Sequence, residues 1–108
     1  MRVLFADTFF YLAYLVPAED FHEAARAFAR RSGITTVTTA WVITELLDAF
    51  AYVPKRTLAV ELVSVLENNS LTTIVPPTQE LMQRGQHLYR SRQDKDWSLT
   101  DCISFVVM

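Results

Sequence analysis

The sequence predicts an α/β domain with a mainly parallel sheet, and three observations carry that reading. Short apolar or β-branched runs, "VLFA", "ITTVTT" and "LTTIV", have the length and composition of strands. Each is followed by at least one longer stretch with helical spacing of its apolar residues. The first run shows no alternation of apolar and polar residues, as expected of a strand covered on both faces. Strands and helices in this order build a sheet whose functional groups gather at the strands' carboxyl ends.

Val3 to Ala6 is expected to be a short buried strand that ends at Asp7, and Thr8 to Leu15 a short helix stopped by Pro17. A second helix is expected from Asp20 as N-cap, with Phe21, Ala24, Ala25 and Phe28 on one face and Gly33 as the stop. "ITTVTT" is the second strand, and "AWVITELLDAFAYV" a strongly apolar helix running up to Pro54. "RTLAVELVSVLENN" is an amphipathic helix, "LTTIVPP" a third strand closed by two prolines, and "TQELMQRGQHLYRSRQ" a helix with a polar face. "SLTDCISFVVM" opens a last, apolar helix.

The bulk numbers bound the function. A chain of 108 residues, 51% apolar, is expected to be a single domain over 1–108 with one core. A net charge of -2 gives no global sign of a nucleic-acid binder, although local arrangement can matter more than the sum. One cysteine excludes an internal disulfide framework, and with only two histidines it excludes a cysteine-rich zinc module; a reducing cytoplasm is expected. Asp7 and Glu45 interrupt the two most apolar stretches, so no membrane span or export signal is expected. Only two glycines occur, and neither a dinucleotide fingerprint nor a P-loop is present.

Three acids stand out against apolar surroundings. Asp7 is the only charged residue between Arg2 and Glu19, Glu45 lies among Val42, Ile43, Leu46 and Leu47, and Asp101 leads into Cys102, Ile103, Phe105, Val106 and Val107. Desolvating an unpaired carboxylate costs several kcal/mol, and a shared divalent cation would offset that cost for all three. Oxygen-only ligands suit Mg²⁺ or Mn²⁺, which act on phosphate esters. Purely structural roles stand beside this one. Asp7 fits the N-cap of the helix after it, and Asp101 completes "SLTD", a capping box with Ser98. Glu45, in mid-helix, has no cap to form. Asp48, one turn on, reads as a solvated helix residue, His22 and His87 as surface residues, and Cys102 as a small buried one. Phe9, Phe10, Tyr11, Tyr14, Trp41, Phe50 and Tyr52 are core candidates, with some available to a partner surface.

In their order and spacing, "ADTFFYLAYL", "TELLDAF" and "DKDWSLTDCISF" resemble the PIN domain, in particular the VapC-type toxin ribonucleases of toxin-antitoxin systems. The resemblance covers essentially the whole chain. It implies a three-layer α/β/α fold and a Mg²⁺- or Mn²⁺-dependent endoribonuclease, with Asp7, Glu45 and Asp101 as metal-holding catalytic acids. Thr8 and Thr100, each next to one of these acids, would orient carboxylates, and Asp96 stands where the family often has a further polar or acidic group. A small protein antitoxin and frequent homodimers are also implied. Arg26, Arg30, Arg31, Lys55, Arg56, Arg90, Arg92 and Lys95 are the cations available to an RNA backbone. The departure lies at the C-terminus, where the family's further strand and fourth acid have no counterpart in 1–108, so a shortened sheet with its C-terminal strand or strands missing is expected. The competing reading is a catalytically inactive, truncated PIN-like module that binds an antitoxin or itself. An aspartyl phosphatase would need a second acid two positions after Asp7, where Phe9 stands.

Overall fold

A computed structural model of the protein describes residues 2–108. The elements are β1 (Arg2–Phe5), α1 (Thr8–Leu15), α2 (His22–Ala29), β2 (Ile34–Thr39), α3 (Ala40–Ala49), α4 (Arg56–Asn68), β3 (Thr72–Val75), α5 (Gln79–Ser91) and α6 (Leu99–Val107). The three strands form one parallel sheet in the order β1-β2-β3, with Phe5 opposite Val37 and Thr39 opposite Val75. The predicted α/β class and all three predicted strands are present. No helix is long and apolar enough to cross a membrane among the described residues.

Parallel pairing requires each strand to be followed by a crossover, and the sequence supplies a helix start at every strand end. Asp7 caps α1 by accepting from the Phe10 amide, and Thr39 caps α3 by accepting from the Val42 amide at 3.2 Å. Thr78 caps α5 in the same way through Leu81. The core lies between α1, α3 and α4, built on Tyr11, Val42, Leu46, Phe50, Leu62 and Leu66.

Several expectations require correction. β1 is not covered on both faces: it pairs only with β2, and its first residues are open, Val3 being 64% exposed. Asp20 does not cap α2, which starts at His22 behind Phe21 with no side-chain cap; the turn closes instead through the His22 amide on the Glu19 carbonyl. The third helix stops at Ala49 rather than at Pro54, because Phe50 turns into the core as C-cap and the Arg56 guanidinium takes the Ala51 carbonyl. Phe9, at 54% exposed, and Tyr52 are surface residues rather than core. Half-buried His22 is not a free surface residue, since its Nδ1 lies 2.7 Å from the Ala13 carbonyl oxygen. His87 and Asp48 are exposed and Cys102 is buried, as expected.

α6 packs along α5 and meets α3 only lightly. Their close approach depends on Gly85, buried in α5: a Cβ there would fall 2.3 Å from Ile103 Cγ1, and Ile103 is itself fully buried. Gly85→Ala therefore sets a helix-propensity gain of about 1 kcal/mol against overpacking of about 1–3 kcal/mol. The expected result is net destabilisation, seen as a lower urea midpoint with little change in m-value.

Candidate acidic site at the carboxyl end of the sheet

β1 and β2 deliver their chain ends to the same edge of the sheet, and α1 and α3 begin there. Two fully buried threonines fix this edge. Thr38 donates its hydroxyl proton to the Ala6 carbonyl at 2.8 Å, tying the end of β1 to β2, and Thr39 caps α3. Asp7, next after Ala6, is thus held at the sheet's edge and is solvent-exposed.

Glu45 is brought to the same place by a second hydroxyl. Thr8 Oγ1 donates to Glu45 Oε1 at 2.5 Å, joining the first residue of α1 to the second turn of α3. Half-buried Glu45 is therefore oriented by the neighbour of Asp7. Asp101 sits in the first turn of α6 in a complete capping box: Ser98 Oγ accepts from its amide, and its Oδ2 accepts from the Ser98 amide, both at 3.0 Å. The capping roles read from sequence for Asp7 and Asp101 are both real. Each acid uses one oxygen for these bonds and keeps the other without a hydrogen bond among the described residues.

This geometry revises the burial argument. Asp7 and Asp101 are exposed, so neither suffers the desolvation that the apolar sequence around it suggested; strand and helix ends project them out of the apolar elements. Among the described residues, no group of three or more His, Cys, Asp or Glu side chains is disposed to hold one metal ion. The donor chemistry nevertheless suits a hard divalent cation, since each carboxylate retains an oxygen and Asp7 and Glu45 are linked through Thr8. Half-buried Thr100 makes no side-chain hydrogen bond among the described residues. Asp96 is exposed and lines a different recess, beside Trp97.

Tyr11 was legible only as a core aromatic, yet its hydroxyl belongs to the surroundings of Asp7. The side chain is 2% exposed, and its hydroxyl has no hydrogen-bond partner among the described residues. Burial pushes its pKa from 10.0 to about 12; the nearby Thr38 hydroxyl opposes the rise and the Asp7 charge adds to it. One turn of helix separates Asp7 from Tyr11, and that spacing is the signal that was available.

The one cation of α2 is not free. Arg26 is committed to the Tyr14 carbonyl through Nε at 2.9 Å and lies over the Tyr14 ring at 4.0 Å. An apolar groove of about 600 Å³ opens between α1, α2, the sheet and α4, with Phe9, Phe21, Phe28, Val65 and Leu71 among its walls.

No family model and no curated protein matches the chain. Among solved structures it is similar to Mycobacterium tuberculosis VapC20, a toxin that cleaves the sarcin-ricin loop. The TM-score is 0.83 at 20% identity, over 97% of this chain and 80% of that one. The PIN-like fold expected from the motifs is borne out by this likeness.

Replacing Tyr11 by Phe removes an unpaired buried hydroxyl, so Tyr11→Phe is expected to leave stability unchanged or to raise it by about 1 kcal/mol. The alkaline limb is sharper. The folded state raises the phenol pKa, so the unfolded state loses its proton first, and stability falls as pH rises from 10.0 toward about 12. Urea midpoints measured across this window are expected to fall more steeply in the wild type than in Tyr11→Phe.

Proposed function

We propose that residues 1–108 form a single PIN-like domain that acts as a Mg²⁺- or Mn²⁺-dependent endoribonuclease, the toxin of a toxin-antitoxin pair in the cytoplasm. The observation that carries this reading is the Thr8 to Glu45 hydrogen bond. It sets two carboxylates of different elements, Asp7 and Glu45, at one edge of a parallel sheet. The ordered motifs and the fold shared with a toxin that cleaves an RNA loop support it.

Asp7, Glu45 and Asp101 are the proposed ligands and catalytic acids. A divalent ion bound there supplies the charge that lowers the pKa of an attacking water and stabilises the leaving oxygen. The chain's own groups do the rest. The Phe10 amide steadies Asp7 at 2.9 Å, Thr8 steers Glu45, and Ser98 holds Asp101 at the start of α6. Thr100 and Asp96 are proposed as supporting groups near Asp101, although neither hydrogen-bonds to it among the described residues.

The antitoxin is proposed to lay an apolar segment in the groove walled by Phe9, Phe21, Phe28, Val65 and Leu71. A homodimer is proposed as the resting assembly of the toxin.

The second reading, a non-catalytic module that binds an antitoxin or self-associates, is favoured by one observation. The three carboxylates are not gathered around a common point.

Calorimetry with Mn²⁺ separates the two readings. Binding to the wild type is expected, with loss of at least about tenfold in affinity in Asp7→Asn and about 10–100-fold in Thr8→Val, where the orienting hydroxyl is gone. Cleavage of a sarcin-ricin loop oligonucleotide is expected to require the added metal and to stop with EDTA. A folded wild type that binds no Mn²⁺ would leave the interaction module as the function.

A further inference from the structure

A second recess lies where α5 ends and α6 begins, and the acidic site leaves it unexplained. Its walls are Tyr89, Arg90, Arg92, Lys95, Asp96 and Trp97, with Ser98 and Cys102 at the α6 end, around a volume of about 550 Å³. Three cations and one acid face it, in a chain whose net charge is -2. The apolar groove, by contrast, has Arg31 as its one charged wall.

The recess is built around an aromatic ring. Trp97 is half-buried and packs edge-on against Phe105, with centroids 4.9 Å apart, which seats it on α6. Above the ring stand the Arg92 guanidinium at 5.4 Å and the Lys95 ammonium at 5.7 Å. Asp94 grips Arg92 through two bonds of 3.0 Å, so its planar head is fixed in orientation. The Lys95 amide on the Arg92 carbonyl and the Gln93 side chain on the Arg90 carbonyl shape the connecting turn.

We propose that this recess seats a single-stranded segment of the RNA substrate, with phosphates on Arg90 and Lys95 and a base stacked on Trp97. Cations that track a backbone beside an aromatic platform are how proteins hold unpaired RNA. Trp97 also stands next to Ser98, the cap that fixes Asp101, so a strand seated here lies beside one of the three proposed acids. An acidic protein segment would use the cations, but it would have no planar base to lay on Trp97. The inference rests on the nuclease reading for its substrate and extends it to the residues that select unpaired RNA.

The test is fluorescence anisotropy with a labelled ten-nucleotide single-stranded RNA, in EDTA so that nothing is cut, over a series of salt concentrations. Arg90→Ala and Lys95→Ala are each expected to weaken binding and to lower the slope of log affinity against log salt by about 0.7. Trp97→Leu is expected to weaken binding roughly 5–100-fold with the slope unchanged. Arg2→Ala, at the start of β1 and outside the recess, serves as the control, and circular dichroism confirms that each variant is folded. Wild-type affinity and slope in all three recess variants would overturn the proposal, as would a polyglutamate peptide that binds as tightly and depends on the same residues. The two readings fail separately. RNA binding that depends on the recess, without Mn²⁺-dependent cleavage by the wild type, upholds the recess and overturns the nuclease. Cleavage by the wild type with unaltered binding in the variants does the reverse.

Discussion

The structure turns on the end of β2, where Thr38 and Thr39 are both fully buried. A buried hydroxyl without a partner costs about 1–3 kcal/mol, so each must be satisfied inside the fold. Thr38 spends its proton on the carbonyl of Ala6, and Thr39 lends its oxygen to the first turn of α3. These two bonds lock the end of β1 to the end of β2 and set the direction in which α3 leaves. Asp7 follows Ala6, and Glu45 lies in the second turn of α3, so the position of both acids is inherited from the threonine pair.

The acids show how one carboxylate can serve two purposes. Asp7 and Asp101 each satisfy an orphan amide at a helix start, a role that accounts for their place without any ligand. Because each does so with a single oxygen, capping orients the carboxylate and leaves its second oxygen toward solvent. Glu45 reaches a similar condition by a different route, through a threonine hydroxyl on another element. Folding and chemistry thus draw on the same side chains.

Much of this was legible in the sequence because local signals and tertiary demands agreed. The strands, α1, α4 and the start of α6 fall where β-branched runs, capping residues and helical spacing place them. The misses have specific causes. Asp20 looked like a cap, but a backbone turn bond closed the helix start instead, and α3 ended early because Phe50 gained more from the core than from helix continuation. The exposed state of Asp7 and Asp101 was hidden by their apolar neighbours, since a linear pattern does not show that a chain end lifts a residue out of its element. Tyr11 shows the limit from the other direction. Its ring was readable as core, while the isolation of its hydroxyl is set by which groups the tertiary fold brings near it.

The packing of α6 has a mechanical meaning. Cys102 and Ile103 are buried outside the main core, Ile103 against the bare backbone of Gly85, and α6 meets α3 only lightly. α5 and α6 are thus packed chiefly on each other, with Asp101 at the start of α6, while Asp7 follows β1 and Glu45 belongs to α3. Any ligand that draws Asp101 toward the other two acids works against one weak seam rather than the whole interior.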